Sequence, residues 1–283
     1  MFFRYSIKIT ISLLCLCCFT LSSCSDNNSS PSTRKLNDTG ITWGGDYPKD
    51  INEDCSAQFN TEQLAEGESY EGDLLSYQDC SQGADASGKK RPAFEYVKVS
   101  AEGKLLKDDS KEWSCVLDKI SGLLWEVKAG VDEKYGNTGW HDGDDLFTWY
   151  NARPIMNGGA VGDWNARYDQ CAGYQQGQPS SYCNIEELVS RVNTDGYCGF
   201  NDWRVPLRTE LESLVNFGRT MPAIDVNYFP NTKNNYYWSY TPVAGQKTMA
   251  WAVSFQFGLT SQLKRDNGRN VRLVRTWSQQ DAN

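Results

Sequence analysis

The placement of cysteine constrains this chain more tightly than any other feature. Ten cysteines occur in 283 residues. Cys15, Cys17 and Cys18 lie in an apolar run near the N-terminus, and Cys24 comes just after it. Six more, Cys55, Cys80, Cys115, Cys171, Cys183 and Cys198, are spread through the remainder. Structural zinc needs closely spaced ligand pairs, yet these six include no Cys-x-x-Cys pair and the chain has a single histidine, His141. The expectation is therefore no metal and three disulfides, as an even cysteine count in an exported chain implies. Pairing nearest neighbours gives Cys55–Cys80 and Cys171–Cys183, which leaves Cys115–Cys198. Closing that last, longest span stabilises by about 4 kcal/mol in the chain-entropy account.

Export is read from the first residues. Arg4 and Lys8 form a short basic region, Ile9 to Phe19 is apolar, and Leu21-Ser22-Ser23-Cys24 ends the pattern as a small-residue cleavage site. The apolar run is shorter than the roughly 20 residues a membrane-spanning helix needs. Leu-Ser-Ser-Cys resembles the lipobox of bacterial lipoproteins, which implies a signal peptide over 1–23 and acylation of Cys24. Several acyl chains on one cysteine give stable attachment where a single chain does not, so the membrane is an expected partner. Ser25 rather than aspartate after that cysteine implies the outer membrane, periplasmic or surface-exposed.

Composition then divides the chain. Residues 24–37 are polar and read as a flexible tether. Residues 38–112 are acidic and Gly-rich with few apolar clusters, and must lean on a disulfide or on the next domain. Residues 113–277 carry the clearest structural signals, and 278–283 form a tail. Loss of Arg4 and Lys8 with the signal takes the formal charge from −8 to −10. Net acidity excludes a nucleic-acid partner, which would need a positive field.

Phe94 to Val99 alternates, turns at Glu102-Gly103 and continues through Lys104 to Leu106, a hairpin pattern. Gly122 to Val127 reads as a short strand. Over Asn184 to Asn193 the spacing of Ile185, Leu188, Val189 and Val192 predicts a helix, with Asn184 and Glu187 resembling a capping box. A second helix comes after Pro206, with Leu211, Leu214 and Val215 on one face, and ends near Gly218. Met249 to Phe257 alternates, with Trp251, Val253, Phe255 and Phe257 on one face. Asn270 to Thr276 supplies a last strand, and a Gly-, Asn- and Gln-rich loop runs from Asn151 to Cys183. The fold class is mixed α+β.

Six short motifs come in order: Ser121-Gly122-Leu123-Leu124-Trp125, Asp202-Trp203-Arg204-Val205-Pro206 with Glu210-Leu211, and Pro222-Ala223-Ile224-Asp225 with Phe229-Pro230. Tyr237-Trp238-Ser239, Ala250-Trp251-Ala252-Val253 and Val271-Arg272-Leu273-Val274-Arg275 complete the series. The series resembles the Lcl C-terminal domain family, named for the Legionella collagen-like adhesin, over residues 115–276. The resemblance implies a C-type-lectin-like domain, with two short helices, antiparallel strands and long loops stapled by disulfides, that displays loops for binding. It also implies a threonine where this chain has Leu207, so the second helix loses a side-chain N-cap whose absence typically costs about 1 kcal/mol.

Catalytic chemistry has little to stand on. His141 sits in His-Asp-Gly-Asp-Asp and has no Gly-x-Ser-x-Gly elbow to serve. The acidic cluster lacks the alternation of a calcium loop, and reads as a solvated turn in which Asp144 or Asp145 caps the next segment. Asp202 reads as a turn residue and not a sugar-coordinating one. Trp125, Trp203, Trp238 and Trp251 are expected in the core, and Arg204, Arg272 and Arg275 as buried stems with paired heads. No catalytic residue and no cofactor is assigned. The expected activity is non-enzymatic binding of a glycan or protein ligand by a surface-anchored adhesin or receptor-like module. The alternative is a secreted carbohydrate-active or protein-modifying enzyme, because the many carboxylates allow a glycosidase pair. Binding is placed on loops flanking the Trp251 strand: Asn231 to Asn235 with Tyr236 and Tyr240, and a basic stretch with Lys264, Arg265, Asn267 and Arg269.

Replacing Cys24 with alanine is expected to abolish fatty-acid labelling and leave the precursor uncleaved. Gel mobility and incorporation of labelled palmitate read this, and undiminished labelling contradicts it.

Overall fold

The computed structural model describes residues 36–41, 43–46, 51–54, 93–162, 164–278 and 281, with backbone alone for 43–46 and 51–54. Cys24, Cys55 and Cys80 lie outside the described residues, as does the signal segment. Strands β1 (Trp43–Asp46) and β2 (Ile51–Asp54) form an antiparallel hairpin. Strands β3 (Tyr96–Val99), β4 (Cys115–Asp118), β5 (Leu123–Glu126) and β9 (Val274–Thr276) form an antiparallel sheet in that order. A second antiparallel sheet holds β6 (Tyr236–Pro242), β7 (Met249–Ser254) and β8 (Thr260–Lys264). Helices α1 (Ile185–Asp195) and α2 (Arg208–Glu212) complete a mixed α+β domain.

β3 belongs to the acidic segment by sequence, yet it pairs with β4 in register Val97↔Leu117. Its hairpin forms as expected, with Ser100 N donating to Lys104 O at 2.8 Å and Leu106 N to Lys98 O at 2.8 Å. Gly103 takes φ +84° at the turn, a conformation that favours glycine.

β4 and β5 are buried at every position. Cys115, Leu117 and Leu124 face a core built with α1, Trp149, Trp203 and Trp238. Val116, Leu123 and Trp125 face a second core with Leu211, Leu214, Val215, Phe229 and Tyr237. This two-sided burial explains why β5 reads as an apolar run in the sequence. The disulfides Cys115–Cys198 and Cys171–Cys183 are present. The first ties β4 to the turn after α1, and the second closes the end of the 151–183 loop.

α1 starts at Asn184, whose Oδ1 accepts from the amides of Glu186 and Glu187, both at 3.0 Å. The reciprocal half of a capping box does not form, because Asn184 N is taken by Tyr182 O at 2.9 Å. Ile185, Leu188 and Val192 are buried, and Gly196 at φ +77° ends the helix.

α2 is only five residues long, shorter than the stretch to Gly218 that the sequence predicts. Ser213 Oγ donates to Glu210 O at 2.7 Å at its end, a side-chain bond that competes with helix continuation. Leu211, Leu214 and Val215 are nevertheless buried together. The cap that Leu207 cannot supply comes from elsewhere: Arg208 N donates to Thr241 Oγ1 at 3.0 Å, and Leu207 N to Glu210 Oε2 at 2.8 Å.

Thr241 reaches that point because β6 and β7 slip register between Trp238 and Pro242. Ser239 Oγ bridges the gap to Trp251 O at 2.7 Å, and Tyr240 N is released to Pro206 O at 2.7 Å. Such an irregularity re-aims side chains out of a sheet. On β7 and just after it both faces are buried, in different cores: Val253 and Phe255 lie together in the second core, and Ala250 and Ala252 are fully buried against the first. Two residues depart from the expected face, Trp251, half-buried with Arg208 over its ring at 4.8 Å, and Phe257, which is exposed. The small residues fit where Trp238 already fills the space.

Thr241→Val keeps the shape and removes the acceptor. Urea unfolding is expected to show a loss of about 1 kcal/mol, the usual worth of an N-cap; an unchanged midpoint would mean α2 needs no cap from β6.

Candidate functional site

A cleft of about 520 Å³ lies between α1, α2 and the first part of the 151–183 loop. Its apolar wall combines Ile185 and Val189 of α1 with Trp203, Val205, Leu207 and Met156. Ile185 and Val189 stand one helical turn apart, so the same stripe that makes α1 amphipathic also lines the cleft. Tyr150 from the loop and Tyr240 from the β6 irregularity add aromatic surface.

Polar groups around this wall are held in fixed pairs. Arg204 meets Glu210 through two contacts, Nη1 to Oε2 at 2.7 Å and Nη2 to Oε1 at 2.7 Å, a bidentate fork with defined orientation. Glu186 Oε2 accepts from Ala152 N at 2.7 Å and pins the loop to the helix. Asn193 clamps Trp203, donating to its carbonyl at 2.8 Å and accepting from its amide at 2.7 Å. Asn151 Oδ1 accepts from Arg153 N at 2.9 Å, while its buried Nδ2 has no partner among the described residues. A buried donor without an acceptor carries a desolvation cost that a ligand oxygen would relieve. No lining residue is a serine, cysteine or histidine.

The loop carrying Asn151 is anchored from an unexpected direction. Arg265, expected at the surface as a ligand-binding cation, is 0% exposed. Its Nε donates to Met249 O at 3.1 Å, Nη1 to Ala160 O at 2.6 Å and Nη2 to Asn157 O at 3.0 Å, and the guanidinium lies 4.0 Å over Trp149. The expectation is corrected on physical grounds: five fixed donors suit a cation that collects loop carbonyls, and this one is enclosed by them.

The other anticipated binding residues separate. Tyr240 is in the cleft, whereas Tyr236 packs on the first core and its hydroxyl meets Ser261 Oγ at 3.2 Å. Lys264 is exposed at the end of β8. Asn267 is half-buried in the next turn, its amide bonded to Lys264 O at 3.1 Å, and Arg269 Nη1 is turned back to Gly268 O at 2.8 Å. The amides of the 231–235 loop are engaged internally: Asn231 donates to Lys128 O at 2.8 Å, and Asn235 to Asn270 Oδ1 at 3.1 Å.

The model of the Lcl C-terminal domain family matches residues 114–275. The chain belongs to the Lcl C-terminal domain family. No curated protein and no solved structure matches it. The cleft residues, from Tyr150 to Tyr240, all fall inside the family domain. Membership points to an adhesin-related binding module.

Within the Lcl domain the acidic motif at 141–145 is not a solvated turn. Asp142, Asp144 and Asp145 are all buried. Asp144 Oδ2 accepts from the amides of Asp132 at 2.6 Å and Glu133 at 3.0 Å, and Lys233 pairs with its other oxygen. Asp142 Oδ2 takes the amides of Asn137 at 3.0 Å and Thr138 at 3.1 Å. Asp145 takes those of Gly136 at 2.6 Å and Ala172 at 2.8 Å. Each carboxylate thus organises a loop, and among the described residues no group of acidic, histidine or cysteine side chains is arranged to hold a metal.

His141 meets Glu126 through Nδ1 at 2.8 Å and stacks on Tyr197 at 3.5 Å. Burial raises the pKa of Glu126, but the Lys128 ammonium and His141 outweigh it and hold the carboxyl at about 2. Burial pushes Asp145 up to about 6, with the charge of Asp142 adding to it against the Ala172 and Gly136 amides.

These two carboxyls give opposite pH slopes. The depressed group, Glu126, contributes stability above the ordinary glutamate range, lost as pH falls toward about 2. The raised group, Asp145, contributes stability below the ordinary aspartate range, lost as pH rises toward about 6. Denaturant unfolding of Asp145→Asn against wild type is expected to remove the second slope. Glu126→Gln is expected to cost about 3–5 kcal/mol near neutrality, as breaking a buried ion pair does; a loss below about 1 kcal/mol would deny the pair that role.

Proposed function

We propose that this chain is a lipid-anchored surface protein whose C-type-lectin-like Lcl domain binds a glycan or protein ligand without catalysis, through the cleft bounded by α1, α2 and the 150–156 loop. The observation that carries the reading is the cleft itself: an apolar and aromatic wall with a few convergent polar groups, the usual make-up of a recognition site. Tyr150 and Tyr240 offer faces on which a sugar ring or an apolar side chain can stack. The Arg204–Glu210 fork offers directional polar edges, and the orphaned Asn151 amide supports an acceptor oxygen arriving from outside. The mixed α+β topology and two disulfides accord with a lectin-like plan. Family membership supports adhesion, and the sequence at Cys24 supports anchoring.

A glycan and host-matrix array probed with the mature chain tests this. Tyr240→Ala is expected to weaken captured ligands roughly tenfold or more, the scale of losing an aromatic anchor. Lys264→Ser, at the end of β8, is expected to leave binding within about twofold, as rim charges do. If ligands are captured and Tyr240→Ala leaves them untouched while Lys264→Ser removes them, the site belongs at β8 and not in the cleft.

A further inference from the structure

Four large apolar side chains stand out from the domain on neighbouring loops: Phe217 at 50% exposure, Met221 at 56%, Phe257 at 47% and Leu259 at 57%. They form one surface. Gly258 lies so close to Phe217 that a Cβ there would sit 2.9 Å from Phe217 Cε1. Met221 N donates to Gln256 O at 2.9 Å, and Ser254 N to Leu259 O at 2.7 Å. The tight turn after β7 buries Phe255 completely and thereby leaves Phe257 and Leu259 outside. Exposed apolar groups that gather in this way, unlike single ones, mark a surface that meets something.

The point at which the chain enters the domain says what that is. Leu36 begins the described chain, Thr39 O accepts from Phe217 N at 2.8 Å, and Asn37 Nδ2 donates to Ser213 O at 3.0 Å. The entering strand of chain therefore runs against the same 213–218 loop that carries Phe217. The twelve residue-to-residue steps from Cys24 to Leu36 reach at most about 40 Å when fully extended. Arg34 and Lys35, next to the entry point, are the basic pair a phospholipid surface attracts.

We propose that Phe217, Met221, Phe257 and Leu259 form a membrane-docking face that lies in the headgroup region of the bilayer to which the chain is anchored. The inference rests on the anchor reading at Cys24. An acyl anchor and a small apolar face beside the point of chain entry are two membrane signals, and two signals hold a protein at a surface far better than one. The anchor fixes distance, and the face fixes orientation.

The protein carries its own reporter and control. Met221 lies in the face, and Met156, 42% exposed on the 151–183 loop, lies outside it. The acylated full-length product is reconstituted on vesicles of phosphatidylethanolamine with a minor share of phosphatidylglycerol, exposed briefly to hydroxyl radicals and mapped by mass spectrometry. Met221 is expected to oxidise at least roughly fivefold less than Met156, as insertion of an apolar face into the interface requires. Phe217→Ser with Phe257→Ser and Leu259→Ser is expected to return Met221 to the level of Met156 while the protein stays on the vesicles. Comparable oxidation of both methionines in an acylated wild type overturns the docking face alone. Shielding that persists in the triple variant, or that fades when protein is diluted over more vesicles, overturns it in favour of another contact or a second copy. The N-terminal peptide in the same sample reports acylation, and an unmodified Cys24 overturns the anchor and the docking face together.

Discussion

A single buried carboxylate holds the sheet and its surrounding loops together. Glu126, wholly buried at the end of β5, takes Lys128 Nζ at 2.8 Å and His141 Nδ1 at 2.8 Å on one oxygen, and the Leu273 amide at 2.7 Å on the other. Burying a charge this deeply is unfavourable by several kcal/mol unless partners are supplied. The chain can satisfy it only by bringing β5, the 141 loop and the approach to β9 to one point. Arg272, also fully buried, donates to the Glu126 carbonyl and to Thr232 Oγ1 at 2.7 Å, with its guanidinium over Phe229 at 4.9 Å. The requirement thus spreads from one carboxylate to the second core. His141, the one histidine, is spent in this network.

Around that centre, indole nitrogens do much of the stitching. Trp149 donates to Ser239 O at 2.9 Å, Trp238 to Phe147 O at 2.8 Å and Trp203 to Tyr197 O at 3.0 Å. Each fills core volume and satisfies a backbone carbonyl, which for Trp149 and Trp238 belongs to a segment far along the chain, and an aliphatic side chain of similar size cannot do this. Long loops survive here because their polar backbone is paired inside. Asp142, Asp144 and Asp145 pair that within residues 132–138 and at Ala172, and Arg265 pairs that of Asn157 and Ala160.

The cleft inherits its shape from these constraints. The slip between β6 and β7 places Tyr240 in its wall and Thr241 at the start of α2, so the binding surface and the helix that borders it share one cause. Arg265 holds Asn157 and Ala160, and Glu186 holds Ala152. The loop bearing Tyr150 and Asn151 is therefore fixed at several points, and recognition on a loop needs that kind of scaffold. Ile155, 92% exposed near the cleft mouth, shows how much of this loop still faces outward.

Periodicity and residue chemistry determined the local elements. α1 was legible in the spacing of Ile185, Leu188 and Val192, β5 in its apolar run, the two observed disulfides in cysteine order, and the family in six ordered motifs. The paired heads of Arg204 and Arg275 also came from residue type, with Arg275 meeting Asp202 at 2.6 Å. What sequence could not distinguish was the inside of a loop from its outside. Lys264 and Arg265 are adjacent cations, yet one is in water and the other enclosed. Three aspartates in a row of polar residues look solvated until their backbone partners are known. The cleft draws on residues from Tyr150 to Tyr240, and of these the sequence had marked Tyr240 alone for binding. The reason is physical: a charged side chain is stable wherever its partners are, and for Arg265 two of those partners, Asn157 and Ala160, lie more than a hundred residues away in the chain.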